Sequence, residues 1–174
     1  MLGPPLAGVE MPKLDELVAN FKKVGESAFL TLHNVPVLVG RGIAGVMTVQ
    51  KQSGATMAAE IGPYIESLTW MDRVFELRGG KAVSVGRTAD SDVVINDFSV
   101  SRQQCTFQQQ GDGWLLTDAG STNGTVVAGK KYKAPQSVLL KGGEELVLGR
   151  LAFEFHTPLS LVAKIRAGKA EVPL

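Results

Sequence analysis

Cysteine, histidine and net charge are all scarce in this chain. Its one cysteine, Cys105, excludes an internal disulfide, and the two histidines, His33 and His156, lie too far apart to offer metal-ligand spacing. Basic and acidic side chains nearly cancel, 18 against 17, and are spread without long runs. That excludes a diffuse cationic surface for nucleic acid or anionic lipid, so any anion recognition must be local. Long apolar runs are missing too. The longest, Val35 to Val49, is interrupted by Arg41 and several glycines and falls short of the roughly 18–20 residues a bilayer requires. The N-terminus, MLGPPLAGVEMPK, lacks a basic start followed by a sustained apolar segment, which argues against a secretory signal. These absences lead us to expect a cytoplasmic protein with no metal, no cofactor, no membrane association and no nucleic acid partner.

What the chain does have is apolar material, 44% of its residues, enough for one good core or two small ones. The first dozen residues, with Gly3, Pro4, Pro5, Gly8 and Pro12, read as a loose leader. From Lys13 to Ala28 the positions Leu14, Leu17, Val18, Phe21, Val24 and Ala28 follow helical spacing, with Pro12 at the start and Gly25 a potential break. Phe29 to Val49 reads as one or two short strands, and Ala55 to Ile61 as a second helical stretch. Near Trp70 the texture changes. RVFELR, AVSVG, VVIND, CTFQQQ, WLLTD, TVVAG, SVLL, ELVLG and LAFEFH follow one another with turn signals every eight to twelve residues or so, which predicts an antiparallel β-sandwich. SLVAKIRAG then predicts a closing helix that stops at Gly168. The expected division is an extension of unassigned role over 1–70, a β-sandwich over 71–157, and a helix and tail over 158–174.

Three short loops of the β region carry polar residues: Gly86-Arg87, then Ser101-Arg102-Gln103-Gln104, then Ser121-Thr122-Asn123-Gly124. In a sandwich, loops at alternate strand ends gather on one edge, so these three are expected to converge. Their chemistry suits an anion. Arg87 offers a planar fork of donors, Ser101 a hydroxyl, and Arg102 a second cation. Asn123 carries both an amide donor and a carbonyl acceptor, which suits an extended peptide backbone.

In their order and spacing these motifs resemble the forkhead-associated, or FHA, family, which is marked by a Gly-Arg after its second strand, a Ser-x-x-His loop and an Asn-Gly loop. The quoted segments are GRTADSDVVINDFSVSRQQ, WLLTDAGSTNGTVVAG and LLKGGEELVLGRLAFEF, and the likeness covers about half of the chain, roughly Arg73 to His156. It implies a mostly β, FHA-type antiparallel sandwich with an N-terminal α/β extension and a short C-terminal helix. It also implies an adaptor without catalytic residues that reads phosphothreonine in partners phosphorylated by a Ser/Thr kinase. Carried over residue by residue, Arg87 and Ser101 would hold phosphate, Arg102 would line the same loop, Thr122 would meet the threonine methyl and Asn123 the peptide backbone. Gly86, Gln104 and Gly124 would support the site. Gln104 stands where the family has histidine, so it is expected to brace the loop with an amide in place of a ring.

Each feature also has a plainer reading. Gly-Arg pairs recur at Gly40-Arg41 and Gly149-Arg150, where they read as turns with a solvated arginine, and Asn123-Gly124 by itself predicts a type I′ hairpin turn. GTVVAGKK, residues 124–131, nearly spells a phosphate-binding P-loop, but Lys131 replaces the Ser or Thr and a β-turn region surrounds it. Cys105 reads as a buried apolar side chain, not a nucleophile. Asp90, Asp92 and Asp97 lack the bidentate glutamate of a calcium loop. No set of acid, base, nucleophile or metal points to an enzyme. The competing expectation is a scaffold or oligomerisation module that uses the same fold without phosphate.

Overall fold

Leu14, Leu17, Phe21 and Val24 repeat at helical spacing, and the computed structural model, which describes residues 11–45 and 65–170, makes Leu14–Val24 the first helix, α1. Asp15 and Glu16 in its first turn and Lys22 and Lys23 in its last complement the helix dipole. Gly25, at φ 80°, ends it, and the chain turns straight into α2, Glu26–Leu32. Phe29 therefore belongs to a helix, not to the expected strand. Its ring is fully buried and meets Phe21 edge-on at 5.3 Å, so packing between the two helices decides its conformation.

The first strand, β1, is Val37–Ile43. Its Val37-Leu38-Val39 run is apolar on both faces because both faces are covered. Leu38 enters the sandwich core, while Val37 and Val39 face the helices. The helix expected over Ala55 to Ile61 and the leader's residues 1–10 lie outside the described residues. A short helix, α3, covers residues 65–70. The strands that follow are β2 (Val74–Glu76), β3 (Ala82–Gly86), β4 (Val93–Val94), β5 (Cys105–Gln110), β6 (Gly113–Asp118), β7 (Thr125–Val127), β8 (Lys130–Tyr132), β9 (Ser137–Leu140), β10 (Glu145–Leu148) and β11 (Leu151–His156). A last helix, α4, covers Pro158–Ala170 and runs through Gly168, where the sequence predicted a stop.

The strands form two sheets, in the orders β2-β1-β11-β10-β7-β8 and β4-β3-β5-β6-β9. All pairings are antiparallel but one, the two-residue parallel contact of β3 with β4. Between the sheets, Phe107 and Phe155 stack at 5.8 Å amid Leu38, Leu116, Leu140, Leu146 and Phe153. On the outer face of the larger sheet, Leu17, Phe21 and Phe29 meet Leu161, Val162 and Ile165 of α4 in a second apolar layer.

The expected boundary at residue 70 does not separate β1 from the sandwich. β1 is hydrogen-bonded on both sides, to β11 with Val37 opposite His156 and to β2 with Val37 opposite Glu76. The chain ahead of α1 is stitched to the same edge, where Val74 N–H donates to Pro12 and Leu14 N–H to Asp72.

Asn123-Gly124 does not form the type I′ hairpin that its sequence predicts. β6 and β7 lie in different sheets, and of the pair only Gly124, at φ 85°, has a positive φ. The two-residue hairpin with both positive φ values is Ala128-Gly129, at 47° and 82°, between β7 and β8. The P-loop look-alike at 124–131 is this hairpin, without the helix a P-loop requires.

Candidate functional site

The three polar loops meet at one edge of the sandwich and are tied together through Ser101. Arg87 N–H donates to the Ser101 carbonyl at 3.0 Å, and the Ser101 hydroxyl accepts Thr122 N–H at 3.0 Å. Gly86 makes the approach sterically feasible, since a Cβ there would lie 2.0 Å from the Arg102 carbonyl oxygen. Thr88 Oγ1 lies 3.3 Å from that same carbonyl oxygen, while its hydroxyl proton goes to Asp90 Oδ1.

Gln104 is the hub beneath this surface, only 1% exposed. Its Oε1 accepts Ser101 N–H at 3.0 Å, and its Nε2 donates to the Gly124 carbonyl at 3.2 Å and to Thr125 Oγ1 at 3.1 Å. Its backbone bonds to Val85 and Ala119. One amide side chain thus joins the Ser101 loop to the Asn-Gly loop, and every polar atom it buries is paired.

Asp118, at the end of β6, fixes the third loop. Its buried carboxylate accepts Ser121 Oγ at 2.5 Å, Thr125 Oγ1 at 2.9 Å, and the amides of Gly120, Ser121 and Ala134 at 3.0–3.1 Å. Burial pushes its pKa up, but the hydrogen bonds of Ser121, Thr125 and the backbone outweigh that and hold it below the usual carboxylate range. The sequence signal for this anchor is the aspartate that opens the D-x-G-S-T-N-G-T turn.

Arg150, which the sequence presents as one more solvated turn arginine, holds the loop between β4 and β5. Its Nη2 donates to Asp97 at 2.8 Å, its backbone N–H to Ser99 Oγ at 2.9 Å, and its guanidinium also pairs with Glu66 of α3. The guanidinium carbon lies 4.3 Å from the ring centre of the exposed Phe98. Gly149 packs so closely on this loop that a Cβ would come within 2.4 Å of the Ser99 carbonyl oxygen. The three aspartates weighed as a calcium loop therefore part company. Asp97 goes to Arg150, Asp92 accepts from Ser84 Oγ at 2.8 Å, and Asp90 faces the loop cavity. Among the described residues no three His, Cys, Asp or Glu side chains gather as metal ligands. Cys105 is buried in the core, and burial, followed by the charge of Asp118, pushes its thiol well above its ordinary pKa.

A polar cavity of about 580 Å³ opens where the loops meet. Ser101, Arg102 and Thr122 line it, together with Thr88, Asp90 and Gln103, none of which the sequence reading assigned to the binding site. Arg87 and Asn123 are not on its walls. The half-buried Arg87 turns its Nη1 to the Phe98 carbonyl at 2.9 Å, and Asn123 is exposed beside Thr122.

Residues 83–149 match the family model of the FHA domain. The oxoglutarate dehydrogenase inhibitor of Corynebacterium jeikeium is 29% identical over 104 residues, covering 60% of this chain and 65% of that protein. The glycogen accumulation regulator GarA of Mycobacterium tuberculosis is 28% identical over 145 residues, covering 82% of this chain and 83% of that one. The chain thus spans just under two-thirds of the length of the first relative and over four-fifths of the second. The solution structure of the FHA domain of an Arabidopsis thaliana hypothetical protein superposes over 71% of this chain and 85% of that chain, with a TM-score of 0.50 at 18% identity, a likeness of fold.

Proposed function

Since the chain carries an FHA domain over residues 83–149, we propose that it is a non-catalytic adaptor binding phosphothreonine-containing segments of partner proteins, the products of a Ser/Thr kinase. The observation that carries this reading is the polar cavity at the junction of three loops hydrogen-bonded through Ser101, with a hydroxyl, a guanidinium and Thr122 on its walls. In this reading Ser101 and Arg102 meet the phosphate, and Arg87 exchanges its bond to the Phe98 carbonyl for a charge-assisted one to a phosphate oxygen. Thr122 borders the threonine methyl and Asn123 takes the peptide backbone, while Gly86, Gln104 and Gly124 keep the loops in place. The two relatives are named for an inhibitor of another enzyme and for a regulator, which supports action through partners and not through chemistry of the domain's own. Among the described residues no helix is long and apolar enough to cross a membrane, and we place the protein in the cytoplasm, acting without cofactor.

Calorimetry of the full chain with matched phosphorylated and unphosphorylated threonine peptides from an oriented library tests the reading. Binding is expected only with phosphate. Arg87→Ala should then cost about 2–3 kcal/mol of affinity, the scale for removing one partner of a desolvated charge pair. Arg102 is exposed, so Arg102→Ala should cost less and flatten the salt dependence. Equal affinity for both peptides would overturn the reading in favour of a phosphate-independent scaffold.

A further inference from the structure

Beside the loop cavity lies a smaller groove of about 230 Å³ along β3 and β5, and the two share Asp90, Gln103 and Ala119. The rest of the groove is uncharged, its walls including Ser84 and Thr106, so Asp90 is the one ionisable carboxylate that faces it. Asp92, close by in sequence, is occupied by both the backbone N–H and the hydroxyl of Ser84. Asp90 is different. Its Oδ1 accepts the Thr88 hydroxyl, its own backbone N–H also bears on the carboxylate, and the residue stays exposed. The Thr88 bond and the local backbone hold its pKa below the ordinary value, so the group is charged at neutral pH, and the Arg102 charge adds to this from across the cavity.

We propose that Asp90 is a specificity-determining residue, and that the groove takes the side chain of a lysine or arginine flanking the phosphothreonine. The inference rests on the phosphopeptide reading of the adjacent cavity and adds the chemistry of the neighbouring subsite. A phosphate bound in the cavity draws Arg102 to itself and brings about two negative charges close to Asp90. Without a cation alongside, that approach is repulsive. A basic residue in the groove neutralises Asp90, and its alkyl stem can lie along the small side chains of Ala119 and Thr106.

The test is calorimetry of wild type and Asp90→Asn with phosphothreonine peptides carrying lysine, alanine or glutamate at each flanking position in turn. For wild type, one position should favour lysine over glutamate by about fivefold, the scale of a solvent-accessible ion pair, and added salt should shrink the ratio. In Asp90→Asn the ratio should collapse towards one, because the alanine and glutamate peptides bind better, an effect that mere loss of structure does not produce. A lysine preference that survives in Asp90→Asn, or no preference in wild type, overturns the inference and leaves the phosphopeptide reading standing. If phosphorylated peptides fail to bind wild type at all, that reading falls and the inference falls with it.

Discussion

Gln104 holds Ser101 from below, its Oε1 accepting the Ser101 amide at 3.0 Å while its Nε2 reaches the Asn-Gly loop. Gln104→Ala leaves the Ser101 N–H and the Gly124 carbonyl without their partner. Stability in urea should fall by about 2–3 kcal/mol, and exchange of the Ser101 and Thr122 amides should quicken. A neutral histidine offers one donor and one acceptor, so Gln104→His should recover more than half of that loss. Similar exchange rates in wild type and Gln104→Ala would show that the brace is idle.

Replacing Asp118 with asparagine puts an NH2 group against amides that already donate. We expect about 3 kcal/mol of destabilisation at neutral pH. The pH dependence should change as well. The folded pKa of Asp118 is depressed, so its contribution is present above the unfolded value near 3.8 and is lost as pH falls through the folded one. Thermal melts from pH 5 to pH 2 should show a shallower acid slope for Asp118→Asn than for wild type.

Arg150→Ala strands Asp97, which is 4% exposed, and removes the guanidinium link from Asp97 to Glu66, while the backbone N–H at 150 keeps its bond to Ser99 Oγ. A loss of about 2–4 kcal/mol follows from leaving a buried charge unpaired. Arg150→Lys should recover only part of it, because an ammonium cannot reproduce the fork shared between Asp97 and Glu66. Chemical denaturation of the two variants side by side gives the comparison.

His156 sits 3% exposed between Glu154, at 2.5 Å from its Nε2, and Ser160, at 3.0 Å from its Nδ1. Burial pushes its pKa below the ordinary 6.5, although Glu154 pulls the other way. The unfolded chain therefore takes up this proton first as pH drops, and stability should decline below about pH 6.5, by at most about 1.4 kcal/mol per pH unit. His156→Gln should flatten that decline between pH 7 and pH 5. A wild-type profile already flat over this range would show that the folded and unfolded pKa values do not differ.

The sandwich was legible because period-two patterns such as AVSVG and CTFQQQ sit between strong turn signals, and local chemistry alone decides such strands. The ordered Gly-Arg, Ser-Arg and Asn-Gly loops were legible for the same reason. What escaped depends on long-range partners. The place of β1 is set by β11, whose His156 faces Val37 from the other end of the chain. β8 is an edge strand of lysines and a tyrosine, without apolar alternation to reveal it. Asn123-Gly124 misled because the chain changes sheets there, so tertiary path overrode the turn's local preference. Arg150 looked like a solvated turn residue because Asp97 and Glu66, its partners, are distant in sequence.

The insertion of β1 between β2 and β11 also governs where this protein can be cut. A fragment trimmed to the family-matched residues 83–149 would lose β1, β2 and β11, keeping only β10, β7 and β8 of the larger sheet. It would retain all three loops of the site, yet β10 would present a bare row of backbone donors and acceptors beside Leu146 and Leu148, side chains that are fully buried in the intact chain. Such an edge is a template for pairing with other copies. The short fragment should therefore form aggregates, whereas one starting ahead of α1 and ending after α4 carries its own edge protection.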